Sequence, residues 1–325
     1  MWLNGGRNAG DDVKRMMLAL LCALLLLTGC GQGKPPEGAQ AGTETISFTD
    51  DLGREVSLER PERVAALTGS FADLWCLAGG ADTLVAAAGD SWTSFGLELP
   101  ETVTDLGGIK EPDLERLLAS EPDLVLLSSN TAAQVELLEV LEKAGLTAAC
   151  FNVTNFDEYL NMLDICTRLT GDGQAYAQYG TALEERIRAA KGRTDGSAPT
   201  VLYIRATGSS CKVKNSRDTV LGEMLADLGC VNIADRENAL LEQLSMEAIL
   251  QAEPDYIFAV AQGADDTAAR KNLENTLLSN PAWQSLSAVR EGRFHLLEHR
   301  LYNLKPNARW GEAYEKLADI LYPRG

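Results

Sequence analysis

Two histidines and a glutamate near the C-terminus have the spacing that comes closest to a catalytic motif in this chain. The run from His295 through Glu298 to His299 matches the inverted zinc-protease pattern. That chemistry requires a helix, because a helix places residues i and i+4 on one face. Gly292 precedes a largely apolar run here, which predicts a strand after a turn. Residues four apart on a strand lie about 13 Å from each other, too far for one zinc ion, so the motif only weakly indicates a hydrolase.

Few other residues in the chain could form a metal site or an enzyme nucleophile. The chain has two His and seven Cys, and no two Cys are spaced as Cys-x-x-Cys, which argues against a zinc ribbon and a thioredoxin-type motif. A direct zinc or manganese binding protein is the nearest alternative, but it would need three or four His or carboxylate ligands. We therefore expect a protein that is not an enzyme and has no catalytic residue, resident metal or cofactor.

Length and charge restrict the classes of partner. The chain has 325 residues, of which 45% are hydrophobic and 23% charged, and this balance is typical of a globular protein of about two domains. The net charge of −18 repels polyanions, so we expect no nucleic acid as a partner. A local basic cleft could still bind a small anion.

The N-terminal segment reads as an export signal. Lys14 and Arg15 precede an apolar run of 12 residues, which is typical of a secretory leader and too short to span a membrane. The following Leu-Thr-Gly-Cys resembles a bacterial lipobox, which predicts a lipoprotein signal peptide at 1–29 and lipidation of Cys30. Residues 30–44 are rich in Gly, Pro and Ala and are expected to form a flexible tether. The cysteines after the tether leave a disulfide open as a possibility: Cys76, Cys150, Cys166, Cys211 and Cys230.

The remaining sequence alternates short apolar strands with helices, which predicts mainly parallel sheets covered on both faces. The strand signal disappears from 156 to 196, where the sequence predicts two helices, the second about 27 Å long. We therefore predict an α/β fold of two lobes joined by a long rigid interlobe helix. The N-terminal lobe covers 45–155, the helical bridge 156–196 and the C-terminal lobe 197–325.

An internal repeat supports the two lobes. The segment 114–125 matches 246–257 at a constant offset of 132, and each copy predicts a short helix, a Glu-Pro-Asp turn and a buried strand. Glu115 and Glu247 occupy equivalent positions in the two copies. Each could simply complement a helix dipole, or the pair could dock to arginine-bearing pockets of a dimeric partner.

The lipobox, the opening TDDLGREVSLERPERVAAL, the two repeat copies and the ending KPNARWGEAYEKLADILYP together resemble a known family. The chain is similar, over about 45–323, to the solute-binding lipoproteins of ABC importers in the branch for ferric siderophores, haem and cobalamin (class III periplasmic-binding proteins). The resemblance implies two α/β lobes joined by a rigid helix, a metal chelate held between them, and docking to the permease through Glu115 and Glu247.

Ligand contacts are expected from loops at the carboxyl ends of strands, which face the crevice in such sheets. Cationic and aromatic side chains together would suit the anionic groups and aromatic frames of iron chelates and haem. The predicted contacts are Ser70, Phe71, Trp92, Asn130, Arg205, Tyr302, Lys305 and Arg309.

The implied partners are an ABC permease dimer with its ATPase and a small metal chelate. We expect a monomer that contacts the membrane only through its N-terminal lipid. It would be located outside the cytoplasm, on the outer face of the bacterial cell membrane or in the periplasm.

Overall fold

The computed structural model describes residues 45–236, 240–241, 244–263 and 266–324, so the predicted signal peptide, Cys30 and the predicted tether lie outside the described residues. The strands before residue 156 are β1 (Ile46–Thr49), β2 (Glu55–Leu58), β3 (Val64–Ala66), β4 (Leu84–Ala87), β5 (Thr104–Asp105), β6 (Gly107–Gly108), β7 (Glu111–Pro112), β8 (Leu124–Ser128) and β9 (Thr147–Phe151). The helices of this half are α1 (Gly69–Trp75), α2 (Asp90–Thr93), α3 (Leu114–Ala119), α4 (Ala132–Val135) and α5 (Leu138–Lys143).

The first half is built on a parallel sheet. Its strand order is β5-β4-β3-β8-β9, and every neighbouring pair is parallel. All five residues of β8 are buried, as expected for a central strand with helices on both faces. Strands β1 and β2 form a separate antiparallel hairpin. We call this half the N-lobe.

A helical stretch separates the two sheets along the chain. It consists of α6 (Phe156–Thr170), α7 (Gly173–Tyr176), a π turn (Ala177–Thr181) and α8 (Ala182–Lys191). Asn155 caps α6, since its side chain accepts from the Glu158 N–H and the Glu158 carboxylate accepts from the Asn155 N–H. Gly171, with φ of 79°, ends α6 in the left-handed region that favours glycine.

The second half contains the strands β10 (Thr200–Ala206), β11 (Cys211–Lys214), β12 (Val231–Asn232), β13 (Tyr256–Ala261) and β14 (Phe294–Leu297). Its helices are α9 (Val220–Asp227), α10 (Met246–Ala252), α11 (Thr267–Leu273), α12 (Ser287–Arg290), α13 (His299–Tyr302) and α14 (Trp310–Leu321). The sheet order is β11-β10-β13-β14, with β12 also pairing with β10, and only the β10–β11 pair among these described strands is antiparallel. We call this half the C-lobe. The predicted α/β class with two mainly parallel sheets is confirmed.

The internal repeat is visible in the backbone. Helices α3 and α10 are capped by Asp113 and Ser245, whose side chains accept hydrogen bonds from backbone N–H groups three residues later. Each Glu-Pro-Asp turn then begins with a glutamate in the left-handed region, Glu121 with φ of 45° and Glu253 with φ of 43°. The two copies therefore share the same unusual turn as well as the same helix and strand.

The aspartate of each turn anchors a neighbouring strand. Asp123 accepts from the backbone N–H of Arg63, just before β3, and Asp255 accepts from the N–H of Thr200, the first residue of β10. These hydrogen bonds place the start of β8 beside the start of β3, and the start of β13 beside the start of β10.

The two lobes share a hydrophobic core. One continuous cluster of buried side chains contains Phe71 and Phe151 of the N-lobe together with Tyr203, Phe258 and Trp310 of the C-lobe. Helix α6 packs on α1, while α8 packs along α14, so the helical stretch has contacts with both halves. Within the described residues, no helix is long and apolar enough to cross a membrane.

Candidate functional site

The parallel strands of each lobe end in loops that carry most of the predicted contacts. We call the loops after β3, β4, β8 and β9 the N-edge, and the loops after β10, β13 and β14, with the start of β11, the C-edge. Contacts join the two edges: the Arg300 guanidinium donates to the Phe95 carbonyl oxygen at 2.6 Å, and the Asn307 amide donates to the Ser70 carbonyl oxygen at 2.8 Å. These two hydrogen bonds directly join the N-edge to the C-edge.

The C-edge contains a pocket of about 210 Å³ lined by three cations. Strand register brings them together, because Arg205 of β10 pairs with Lys212 of β11, and Tyr203 pairs with Lys214. Alternation along a strand then places all four side chains on one face of the sheet. The full lining is Arg205, Thr207, Ser210, Lys212, Lys214 and Gln262.

These cations repel one another. Lys214 is half-buried, and its pKa is lowered first by burial and then by the positive charges of Arg205 and Lys212. Like charges directly opposite each other on paired strands are destabilising. Within the described part of the chain, none of the three forms an ion pair, although the whole protein carries a net charge of −18. An anion is the ligand that would relieve this repulsion.

Arg205 is held by a buried phenol. Its Nε and a terminal nitrogen lie 3.4 and 3.3 Å from the Tyr203 hydroxyl oxygen, and Tyr203 is fully buried. Burial raises the pKa of Tyr203, so the phenol stays neutral and accepts from the guanidinium without neutralising it. The hydrogen bonds to the Tyr203 hydroxyl therefore give the guanidinium a preferred direction.

A fourth cation, Lys305, lies close to both edges. It is half-buried, with Nζ 5.9 Å from the centroid of the Phe71 ring. Burial lowers the pKa of Lys305, while the negative charges of Asp90 and Glu158 favour its protonated form. Asp90 is occupied in the structure, since its Oδ1 accepts from the Gly69 backbone N–H at 2.7 Å.

The N-edge is organised differently, because its polar side chains are bound to one another. The Glu158 carboxylate accepts from the Thr154 N–H at 2.6 Å and from the Asn152 amide at 2.8 Å. Asn152 in turn accepts from the amide of Asn130. The fully buried Gln134 accepts from the Ser128 N–H and donates to carbonyl oxygens of the neighbouring loops. These groups hold the loops together and leave little hydrogen-bonding capacity unused.

The predicted aromatic lining of the crevice requires correction. Phe71 is 0% exposed and contacts Phe151 in the core, and Tyr302 is 2% exposed, with its hydroxyl donating to the Ala313 carbonyl oxygen. Ser70 is also buried, and its hydroxyl lies 3.1 Å from that of Thr68. Side chains that are this deeply buried cannot touch a ligand unless the core rearranges. The structure therefore does not support these three contacts.

The other predicted contacts have different surroundings. Trp92 is half-buried against the shared core, and Asn130 is exposed at the N-edge. Arg309 lies outside the cationic pocket, where it donates to Glu312 at 2.7 Å and to Glu298 at 2.9 Å. These two carboxylates neutralise Arg309, so it is poorly suited to binding a ligand anion. Of the predicted set, Arg205 and Lys305 have the surroundings that suit an anionic ligand.

The histidine motif does not form a metal site. His295 lies in β14 and stacks on Phe258, whereas His299 begins α13. Between them, Glu298 faces Arg309 and Lys316. Within the described residues, no group of three or more His, Cys, Asp or Glu could hold a metal ion. The predicted strand at His295 is confirmed, and a strand followed by a helix does not give the one-face geometry that the protease pattern needs.

Sequence reasoning missed Lys212 and Lys214, because it did not predict β11. A signal was present: the segment 211–214 alternates Lys with a smaller apolar residue and follows a Gly-Ser-Ser turn after β10. That pattern is typical of a hairpin, which would have brought Lys212 opposite Arg205.

Glu115 and Glu247 are exposed in the first turns of α3 and α10. No hydrogen bond or ion pair occupies either side chain within the described part of the chain. Both carboxylates are therefore accessible on the surface. The five cysteines after the tether, which all lie within the described residues, are free thiols.

Two α/β lobes whose parallel strands end at a common crevice define a two-lobed protein of the solute-binding class, and on one side of that crevice lie cations without an ion-pair partner among the described residues. The chain belongs to the periplasmic binding protein family, whose sequence pattern matches residues 64–301. This confirms the resemblance inferred from the lipobox, the repeat and the C-terminal segment.

Relatives and solved structures agree with this assignment. The chain is 24% identical over 323 residues to the iron-uptake system-binding protein of Bacillus subtilis, covering 94% of this chain and 96% of that one. It is 26% identical over 298 residues to the ferric-anguibactin-binding protein FatB of Vibrio anguillarum, covering 85% and 87%. The structure of the catecholate-siderophore binding protein VctP of Vibrio cholerae matches with a TM-score of 0.68 at 15% identity, covering 85% and 99%, which supports the shared fold.

Proposed function

We propose that the protein is the lipid-anchored, extracytoplasmic solute-binding component of an ABC importer and captures an anionic metal chelate between its lobes. The observation that carries this proposal is the cluster of Arg205, Lys212 and Lys214 at the C-edge, without carboxylate partners among the described residues of an acidic protein. Like charges placed together at a cost to stability indicate that their counter-charge comes from a ligand.

Iron is the metal that the relatives favour, since two of them are named for iron uptake and for a ferric chelate. Ferric siderophores commonly carry net negative charge, which matches the cationic pocket. Haem and cobalamin are the other ligands of this branch, and both belong in the binding test. Direct zinc or manganese binding has no support from the separated His295 and His299.

Capture would involve modest closure of the crevice. The shared core and the Arg300–Phe95 hydrogen bond join the lobes, so a large hinge motion would break buried contacts. Small movements of the C-edge loops can close over a ligand at lower cost. Such a binding protein holds its solute without changing it, which is the basis for proposing a non-enzymatic role.

Anchoring would place the binding lobes at the membrane that holds the permease. We propose lipidation at Cys30 after removal of residues 1–29, with residues 30–44 as the tether. A Cys30→Ser variant should appear in the soluble extracytoplasmic fraction instead of the membrane fraction. Retention of that variant in the membrane would contradict the anchor.

Docking to a permease dimer with its ATPase is proposed through the pair of exposed carboxylates. Glu115 and Glu247 are related by the internal repeat, so they match a partner with two-fold symmetry, and Arg pairs with carboxylates through two parallel hydrogen bonds. The double variant Glu115→Gln and Glu247→Gln should bind the chelate normally but fail to support uptake. Normal uptake by this variant would remove the docking role.

Isothermal titration calorimetry of the purified protein tests the binding function directly. The panel contains a ferric catecholate, a ferric hydroxamate, ferric citrate, haem, cobalamin, Zn²⁺ and Mn²⁺. We expect saturable binding of at least one metal chelate at sub-micromolar Kd and no comparable binding of the free metals. No binding of any chelate, or tight binding of Zn²⁺ or Mn²⁺ alone, would overturn the proposed function.

A further inference from the structure

The chemistry of the C-edge pocket narrows the ligand further. Its lining residues are three cations, two hydroxyl side chains and one amide, and none of these described residues is aromatic. Its volume of about 210 Å³ is below the roughly 300–1,000 Å³ of pockets that enclose whole drug-sized ligands. The pocket therefore suits a compact, hydrophilic part of a ligand.

The cations are arranged to meet more than one negative charge. Arg205 and Lys212 are direct cross-strand partners, whose Cβ atoms in such pairs lie about 4.5–5.5 Å apart, and Lys214 follows two residues later on the same face. A guanidinium fits a carboxylate through two parallel hydrogen bonds, while each ammonium acts as a point charge. Two or three carboxylates on a small frame would satisfy this set.

The pocket also offers groups for a ligand hydroxyl. Gln262 is exposed at the end of β13, and no hydrogen bond occupies its side chain within the described residues. Its amide can both donate to and accept from an alcohol. Thr207 is different, because its hydroxyl oxygen already accepts from the Ser210 backbone N–H at 2.9 Å.

Among the described residues, no aromatic side chain that could stack on a flat ligand lines this pocket. Tyr203 is fully buried beneath Arg205, and Phe71 and Tyr302 belong to the core. Trp92, which is half-buried, packs against the core from the N-lobe. Catecholate rings, a porphyrin or a corrin would therefore leave a large apolar face without a stacking partner in this pocket.

We infer that the C-edge pocket binds the carboxylate-rich part of a hydroxycarboxylate chelate of iron, with Arg205, Lys212 and Lys214 on the carboxylates and Gln262 on the hydroxyl. This inference rests on the proposed function and specifies its substrate class. It concerns binding alone, and no bond in the chelate is made or broken.

Competitive titration tests the inference, with ferric citrate as the probe. We expect ferric citrate to bind at least tenfold more tightly than a ferric 2,3-dihydroxybenzoate complex, haem or cobalamin. Equal or tighter binding of one of these aromatic or macrocyclic ligands would overturn the inference while leaving the proposed function in place. Binding of none of them would overturn the inference, and it would overturn the proposed function as well if the ferric hydroxamate of the wider panel also failed to bind.

Two further probes identify the anion chemistry. Inorganic phosphate carries charge without carboxylates, and citrate without iron carries the carboxylates without the metal. We expect phosphate to bind at least tenfold more weakly than ferric citrate, and citrate alone to compete for the same pocket. Phosphate binding as tight as that of ferric citrate would show a general anion site and contradict the carboxylate class. A failure of citrate alone to compete for the pocket would also contradict the carboxylate class.

Charge-removing variants locate the site. Lys212→Gln and Lys214→Gln should each weaken ferric citrate binding about tenfold and reduce its dependence on salt. The matched control is Lys271→Gln, which removes an exposed lysine from α11 in the same lobe, and it should leave Kd within twofold. Neither pocket variant should lower the melting temperature, since each relieves repulsion. Unchanged Kd in both pocket variants would overturn the assignment of this pocket.

Discussion

The N-edge and the C-edge of the crevice use polar side chains in opposite ways. At the N-edge, Glu158, Asn152 and Gln134 bind neighbouring loops, so their hydrogen-bonding capacity stabilises the fold. At the C-edge, Lys212 and Lys214 have no described partner and repel Arg205. The difference separates structural polar groups, which are satisfied within the protein, from binding groups, which are satisfied by the ligand.

Burial of Lys214, together with repulsion from Arg205 and Lys212, disfavours the charged lysine in the folded protein. The lowered pKa of Lys214 means that its charged form is less favourable in the folded chain than in the unfolded one. An anion that binds only the folded state would remove this penalty and raise the melting temperature. Ligand binding and stability are therefore coupled through the cations of the C-edge.

The largest effect on affinity is expected from Arg205→Ala. Loss of charge-assisted hydrogen bonds should weaken chelate binding by about 1.5–3 kcal/mol, or roughly 10- to 150-fold in Kd. Titration calorimetry gives the Kd, and Arg290→Ala, at an exposed position on α12, is the control that should leave it unchanged. An unchanged Kd in Arg205→Ala would remove Arg205 from the site.

The matching change at the N-edge should affect stability instead. Glu158→Ala removes the carboxylate half of the α6 capping box together with the hydrogen bonds from Asn152 and Thr154, and should cost about 1–2 kcal/mol in the free energy of unfolding. Urea denaturation measures this loss, and Kd should stay within about threefold. A tenfold loss of affinity at unchanged stability would place the N-edge among the binding groups.

Alkaline pH should weaken binding through Lys214. Because its pKa lies below the ordinary value of 10.5, Lys214 loses its charge earlier than a free lysine as pH rises, and anion affinity should fall with it. The contribution of Lys214 to fold stability should rise with pH, since its deprotonation in the folded state removes the cost of burying the charge and the repulsion from Arg205 and Lys212.

A Lys214→Arg variant sharpens this pH test, because arginine stays charged throughout the range. The ratio of the variant Kd to the wild-type Kd, measured from pH 7 to pH 10, should fall as wild-type binding weakens. Using the ratio cancels pH-dependent changes in the chelate itself. A ratio that does not change with pH would show that Lys214 does not titrate in the site.

The smallest effect is expected from Asn130→Ala. Asn130 is exposed, and its amide already donates to Asn152, so we expect Kd within twofold and a stability change within about 0.5 kcal/mol. A tenfold loss of affinity would show that the N-edge also contacts the ligand and would weaken the contrast between the two edges.

Much of the fold followed from local sequence patterns. The alternation of strands and helices, the helical stretch after residue 156 and the two Glu-Pro-Asp turns of the 132-residue repeat were all predicted from the sequence. These features depend on residues close in sequence, such as a cap and the backbone group it binds three positions later. The pocket could be predicted only in part, through Arg205, because its other cations depend on a hairpin that was not recognised.

By itself the sequence determined the two α/β halves, their internal repeat and the family to which they belong. Only the tertiary structure decided that Phe71 and Tyr302 enter the core, and that Lys212 lies opposite Arg205. The physical reason is that burial and charge pairing depend on contacts between distant segments, such as the Asn307 amide with the Ser70 carbonyl oxygen. A local pattern shows that a side chain is aromatic or cationic, while the packing of both lobes determines whether a ligand can reach it.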